Sequence, residues 1–295
     1  MKIVILGGTG FIGRHLQQFL MQHGHQVKAY GRKVFTDGEQ AGAALIDAVN
    51  DQDLVIMLAG ENIGKRWNKA YKQALLDSRI NTAKQLKDAL SLCAKPPAQV
   101  FAASAVGIYP QTACDDLLDE YSATSDSGFL AQLGQAWEAQ SKNLADKVVI
   151  FRFGVVLGKD GGALAKMLPA FKLGLGGPVA GGQQCFSWIH IDDLCRALLF
   201  AIEKTGSAEC DIHGIYNLTS PKPVSNQVFG QALAKQLKRP FWLPLPLWQL
   251  KIMFGEGAQV LTHSAAVYPT KLLQAGFTFD YADINDALAN LCADK

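Results

Sequence analysis

The chain has 295 residues, 49% of them hydrophobic and 18% charged, enough apolar material for one large core and a smaller second one. Its formal net charge is +2 and no block of five like charges occurs, which leaves no whole-chain electrostatic case for a nucleic-acid or membrane-surface partner. No apolar run is long enough to span a bilayer, and the first one, in MKIVILGGTG, is too short for a secretory signal, so a cytoplasmic globular protein is expected.

In chain order, KIVIL (2–6) reads as a strand, FIGRHLQQFLMQHG (11–24) as a helix closed by Gly24, and HQVKAY (25–30) as a second strand. DLVIML (53–58) scarcely alternates and suits a parallel strand covered on both faces. A long helix over 68–92 follows, ending before Pro96 and Pro97, then strand QVFAAS (99–104), an amphipathic helix in FLAQLGQAWEAQ (129–140) and strand KVVIFRF (147–153). SWIHIDDLCRALLFAIEK (187–204) reads as a strand end, an aspartate N-cap and a helix.

The alternation of strands and helices predicts an α/β fold, a Rossmann-type doubly wound parallel sheet. Beyond about residue 219 prolines punctuate shorter elements, so 1–155 and 187–218 are assigned to the main parallel-sheet domain and 156–186 with 219–295 to a small α+β lobe. The six cysteines form no Cys-x-x-Cys and no metal-ligand spacing, and are expected as reduced thiols with no metal.

VILGGTGFIG sets Gly7, Gly8, Gly10 and Gly13, with Thr9, Phe11 and Ile12 between them, directly between a strand and a helix. Glycines at these places permit a tight turn, a close backbone approach to a pyrophosphate and close packing of helix on strand, and the helix N-terminus attracts the anion. The end of the second strand offers Arg32 and Lys33 with no acid before Asp37, which favours the 2′-phosphate of NADP(H) over the free ribose of NAD(H). Leu58, Ala59 and Gly60 follow the third strand and should pass beneath the adenosine, with Arg79 the cation the long helix could aim back at it.

GGTGFIG, LAGENI followed by RW, SRINTA, GVVLGKDGGAL and LGLGGPVAGGQQCFSWIHIDD, with the tail from PLPLWQLKIMFGEG to LLQAGFTF, resemble the extended short-chain dehydrogenases/reductases. Within that branch of nucleotide-sugar epimerases and dehydratases they look most like the YfcH-like epimerase-family proteins, over essentially the whole chain. The resemblance implies about seven parallel strands, a small C-terminal lobe and NADP(H). It also implies that Gly31 and Arg32 meet the phosphate side of the adenosine, that Leu58, Ala59 and Arg79 contact the cofactor, and that Val156 lies near the nicotinamide. Members of the branch often dimerise through the two long helices on one sheet face, here 68–92 and 129–140, so a homodimer is an expectation.

In that branch a Tyr, acidified by a Lys four residues on, exchanges a proton with the substrate while the nicotinamide exchanges hydride, and a Ser or Thr fixes the substrate oxygen. Counting back from Glu138 puts Gly134 at the lysine and Leu130 at the tyrosine, and counting back from Tyr109 puts Ala105 at the hydroxyl. The remaining catalytic candidates are Ser104, presented by a one-residue bulge, and Tyr109 near the strand end. His190, Asp192 and Asp193 read better as helix-start residues, while Gln183, Phe186 and Trp188 are candidate pocket linings by loop position. Two functions stay open: an NADP(H)-dependent oxidoreductase or epimerase acting on a small hydroxyl or carbonyl compound, and a catalytically silent NADP(H) sensor.

Overall fold

The computed structural model describes residues 1–36, 41–205 and 212–293. Its main sheet has six parallel strands: β1 (Lys2–Leu6), β2 (Gln26–Tyr30), β3 (Leu54–Met57), β4 (Gln99–Ala105), β5 (Lys147–Phe153) and β6 (Gly214–Leu218), ordered β6-β5-β4-β3-β1-β2. The seventh strand expected from resemblance is not among the described residues. Beyond β2 the chain enters a 3₁₀ turn over Arg32–Phe35 and helix α2 (Ala41–Val49), then crosses to β3 on the other side of β1.

Both faces of the sheet are buried, which is why its strands read as continuous apolar runs. Ile3, Ile5, Leu54 and Ile56 face one core with Leu16 and Leu20 of α1 (Phe11–Gln22). Val4, Leu6, Val55 and Met57 face the other, under α2 and α3 (Lys69–Leu92). Asn68 caps α3 by accepting the Tyr71 N–H at 2.8 Å, and Leu75, Arg79, Ala83, Leu86 and Leu90 form its buried stripe.

Strand β6, whose GIYNL was not singled out in the sequence, pairs with β5 and extends the sheet; Trp188–His190, read as a strand end, pairs instead with Val155–Gly158 outside it. Helices α4 (Phe129–Ser141), α5 (Gly162–Lys172), α6 (Ile191–Lys204), α7 (Asn226–Gln236) and α8 (Leu247–Phe254) follow in order. A third core joins Leu164, Phe171, Phe229 and Leu233 to Ile284, Leu288 and Leu291 of the last helix, Ile284–Cys292.

Three segments distant in sequence are stitched together above the sheet. Ser264 Oγ donates to the Thr112 carbonyl at 2.6 Å and accepts the Cys185 N–H at 2.8 Å, while Ser187 Oγ donates to the Ala265 carbonyl at 2.7 Å. This junction brings the Cα atoms of Cys114 and Cys185 to 5.1 Å, and the two are disulfide-bonded across 71 residues. The expectation of six reduced thiols is therefore corrected: no local spacing encodes a pair made by folding. Cys210 lies outside the described residues.

Candidate functional site

The carboxyl ends of β1, β2 and β3 meet where the strand order reverses, the crevice in which open α/β sheets hold ligands. Gly7 and Gly8 donate their N–H groups to the Tyr30 carbonyl at 2.8 and 3.0 Å, folding the turn onto β2. Gly7 has φ +92°, and a Cβ there would lie 2.7 Å from the backbone of Leu58 and Ala59. At Gly13 a Cβ would lie 2.5 Å from the Cα of Gly8, so only glycine lets α1 start so close to the turn. Gly10 is the α1 N-cap and contributes no side-chain cap, and the first turn holds no acid. The N–H groups opening α1 are thus left for an anion.

Thr9 packs against Gly31, where a Cβ would come 2.9 Å from Thr9 Oγ1, and the Thr9 carbonyl accepts Arg14 Nη1 at 3.0 Å. The Phe11 ring fills the turn Gly158–Gly162, where Cβ atoms at Gly158 and Gly161 would come within 2.4 and 2.2 Å of it. His15 fastens the same turn through Asp160 at 2.8 Å. Ile12 packs on the main core, and Val156 is buried in that core.

Arg32, at the end of β2, is exposed, and its Nη2 donates to Glu61 Oε2 at 2.6 Å. Glu61 is the residue that reading β2 alone misses, because it arrives from the loop after β3. Its carboxylate also accepts Lys65 Nζ at 3.0 Å and the Tyr71 hydroxyl at 3.1 Å. The Lys65 hydrogen bond, chiefly, holds Glu61 below its ordinary value against the opposing effect of burial.

Arg79 lies under the same loop. It is buried, and a Cβ on Gly60 would stand 3.2 Å from its Cζ. Nη1 donates to the Leu75 carbonyl at 3.1 Å and Nη2 to the Glu61 carbonyl at 3.3 Å, the guanidinium sits 4.8 Å from the Trp137 ring centroid, and Nε has no partner. Burial pushes its pKa down to about 10. Gly7, Gly8, Thr9, Gly10, Gly13, Gly31, Arg32, Leu58, Ala59, Gly60 and Arg79 are thereby gathered around one crevice.

The expected catalytic positions form a different arrangement. Ser104, at the end of β4, is buried and donates to Glu138 Oε1 at 2.8 Å. Arg152 of β5 grips the same carboxylate with Nε at 2.7 Å and Nη2 at 2.9 Å. Its Nη1 donates at 2.8 Å to the hydroxyl of Tyr109, which in turn donates to Asn217 Oδ1 at 3.0 Å. The Asn217 N–H reaches Glu120 at 2.8 Å. Burial pushes the Tyr109 phenol above its ordinary value. Burial also opposes the charge on Arg152, but the Glu138 carboxylate outweighs it and the guanidinium is held above its usual value.

A Cβ on Gly107 would come 3.3 Å from Leu130 Cβ, and a Cβ on Gly134 would come 3.0 Å from Cβ of Ile108. Helix α4 therefore lies against the turn after β4 at a distance that leaves no room for a lysine stem at position 134 without a shift.

Of the candidates beyond β5, His190 rather than an aspartate caps α6. Its Nδ1 accepts the Asp192 N–H at 3.0 Å, its Nε2 faces Asn290 Oδ1 at 3.2 Å, and its ring stacks on Tyr281 at 4.0 Å. Asp193 is buried and accepts the N–H groups of Asp280 and Tyr281 at 2.9 and 2.8 Å. Trp188 is fully buried in the third core, Phe186 packs against Phe229, and Gln183 is exposed, so these three do not line a common pocket.

A reversing parallel sheet whose first turn is a glycine loop with free helix donors defines a dinucleotide-binding Rossmann protein. The chain belongs to the NAD dependent epimerase/dehydratase family, whose profile matches residues 3–218, and a domain of unknown function, DUF1731, matches 245–291. It is 35% identical to the epimerase family protein YfhF of Bacillus subtilis over 100% of this chain and 99% of that one. The crystal structure of human epimerase family protein SDR39U1 with NADPH superposes with a TM-score of 0.89 at 33% identity, covering 99% of each chain. MoeE5 in complex with UDP-glucose and NAD shares the fold at 19% identity, with a TM-score of 0.77 over 99% of this chain and 97% of its own. Among the described residues no helix is long and apolar enough to cross a membrane, and no cluster of His, Cys, Asp or Glu could hold a metal.

Proposed function

We propose that the protein binds NADP(H) across the carboxyl ends of β1, β2 and β3 and acts as an oxidoreductase or epimerase on a small hydroxyl or carbonyl compound. The observation that carries the cofactor is the buried Arg79, whose Nε has no partner and which lies beneath the loop after β3 beside the uncapped start of α1. These groups fit an anionic dinucleotide: the opening of α1 takes the pyrophosphate, Leu58 to Gly60 pass beneath the adenosine, and Arg32 takes the 2′-phosphate, exchanging Glu61 for it. Val156 stands behind the nicotinamide half as part of the pocket wall. The SDR39U1 complex with NADPH supports the same cofactor. Bound there, NADPH would supply hydride.

The proton comes from neither the Ser104 nor the Tyr109 side chain, because both hydroxyls are spent on buried partners. Solvent or the substrate's own groups serve instead, in the cytoplasm, where NADPH is turned over. The purified protein is expected to consume NADPH, followed by absorbance, in the presence of at least one member of a panel of sugars, nucleotide sugars, quinones and aldehydes. No turnover on any of them would remove the enzyme reading.

The closed network also favours a second reading, a silent cofactor binder that senses the NADPH/NADP ratio. It requires different affinities for the two redox forms, since a ligand shifts a conformation only through differential affinity. Equal affinities by calorimetry would dismiss it. Under either reading, Arg32→Ala should weaken NADPH binding by about 10- to 100-fold, the range expected for a charge-assisted hydrogen bond, and leave NADH unchanged. Equal weakening of both would put the phosphate elsewhere.

A further inference from the structure

The charge of the chain is divided unevenly. Residues 161–191 and 212–255 hold seven Lys or Arg and no Asp or Glu, which leaves the remainder of a chain of net +2 five charges negative. All seven are exposed, and among the described residues only Lys222 is ion-paired, to Asp283 at 3.8 Å.

The same segments expose large apolar side chains: Leu173 at 75%, Trp242 at 62%, Trp248 and Ile252 at 61% and Met253 at 55%. Hydrogen bonds bring the segments of Leu173 and Trp242 together. The N–H groups of Trp242 and Leu243 both donate to the Gly176 carbonyl, at 2.9 and 3.1 Å, and the Trp242 indole donates to the Gly174 carbonyl at 3.1 Å. Gly174 to Gly176, just after Lys172 and Leu173, therefore runs along Pro240 to Leu243, just after Lys238 and Arg239, and α8 follows a few residues later. Leu250 of α8 is fully buried, while Leu247, Trp248, Lys251 and Ile252, spaced by one turn, are exposed.

Tryptophans among leucine, isoleucine and methionine, with lysines whose stems can lie along apolar surface and whose heads reach phosphates, match the boundary of an anionic bilayer. Nucleic acid would satisfy the charges but would leave Leu173, Ile252 and Met253 with nothing apolar to bury against. We infer that this face of the small lobe docks on an anionic lipid bilayer, with Trp242, Trp248 and Ile252 entering the headgroup boundary and Lys172, Lys238, Arg239 and Lys251 meeting lipid phosphates. The near-neutral net charge that spoke against a membrane surface averages these two basic segments with an acidic remainder.

The test uses the full chain and vesicles of phosphatidylcholine alone or mixed equally with phosphatidylglycerol. The protein should sediment with the mixed vesicles only, shift its tryptophan emission to the blue, and be released by high salt. Lys238→Ala with Arg239→Ala should lower partitioning by roughly 25-fold, about fivefold per charge. Trp248→Ser with Ile252→Ser should abolish the blue shift, with circular dichroism checking the fold. Should that pair fail to fold, the exposed 238/239 pair decides alone. Equal binding to both vesicles, binding to neither, or displacement from vesicles by an RNA oligomer would each overturn the inference.

Discussion

Two neighbouring regions of one sheet treat their polar groups in opposite ways. At the ends of β1, β2 and β3 the donors are left over: helix α1 begins without a cap, and the Arg79 Nε is buried without a partner. At the ends of β4 and β5 the polar groups are consumed, since Ser104, Glu138, Arg152, Tyr109 and Asn217 satisfy one another inside the core. Leaving a buried donor unpaired costs about 1–3 kcal/mol, so the first arrangement makes sense when a ligand completes it and the second when it is complete already. What separates a binding site from a structural cluster here is the unfilled partner, since both contain a buried arginine.

The sharpest way to break that contrast is Glu138→Ala. It strands Arg152 in the core and removes the acceptor of Ser104, so unfolding should become easier by about 3–5 kcal/mol, read as a lower denaturant midpoint at unchanged slope. A loss below about 1 kcal/mol would mean that the carboxylate is free for chemistry rather than tied into the fold.

Arg79→Met tests the other half. Removing a buried guanidinium that has no carboxylate partner should leave the stability of the cofactor-free protein within about 1 kcal/mol or raise it, while NADPH affinity falls by about tenfold or more. If stability collapses and affinity survives, Arg79 is a structural arginine and the crevice has lost its central observation.

The first half of the fold is legible because its information is local. A strand buried on both faces writes itself as KIVIL or LVIM, and the glycine turn must hold φ > 0 and two close approaches within seven residues. The pairings that define the site are not local: Arg32 with Glu61, Ser104 with Glu138, and Cys114 with Cys185 are joined only by topology. One trace was present, for Arg152 stands in the otherwise apolar VVIFRF and needs a partner wherever that strand is buried. The His190 cap was hidden for another reason, since two aspartates after it are commoner cap residues.

Gly134 gives a smaller test of the same comparison, because it asks whether the proton-relay half could be rebuilt. A methyl group there would press on Ile108, so Gly134→Ala should cost about 1–3 kcal/mol from overpacking. Ile108→Val in the same chain should return part of that loss, a coupling a double-mutant cycle measures directly. Additive effects would show that α4 can move away, and that a Leu130→Tyr and Gly134→Lys pair could then be accommodated.

The smallest expected effect lies at His190. Burial, opposed by Asp192, Asp193 and Asp280, holds its pKa below the ordinary 6.5. The unfolded chain therefore takes up a proton below that value that the folded chain refuses, so this contribution to stability is complete above 6.5 and declines as the pH falls toward the folded pKa. The slope is at most about 1.4 kcal/mol per pH unit for one proton. His190→Asn keeps a side chain able to cap α6 and cannot titrate, so its stability should fall less steeply than that of the parent protein between pH 6.5 and 5.5. Identical slopes would mean that the ring takes up its proton in place, and that the cap bond to Asp192 is not what the imidazole is held for.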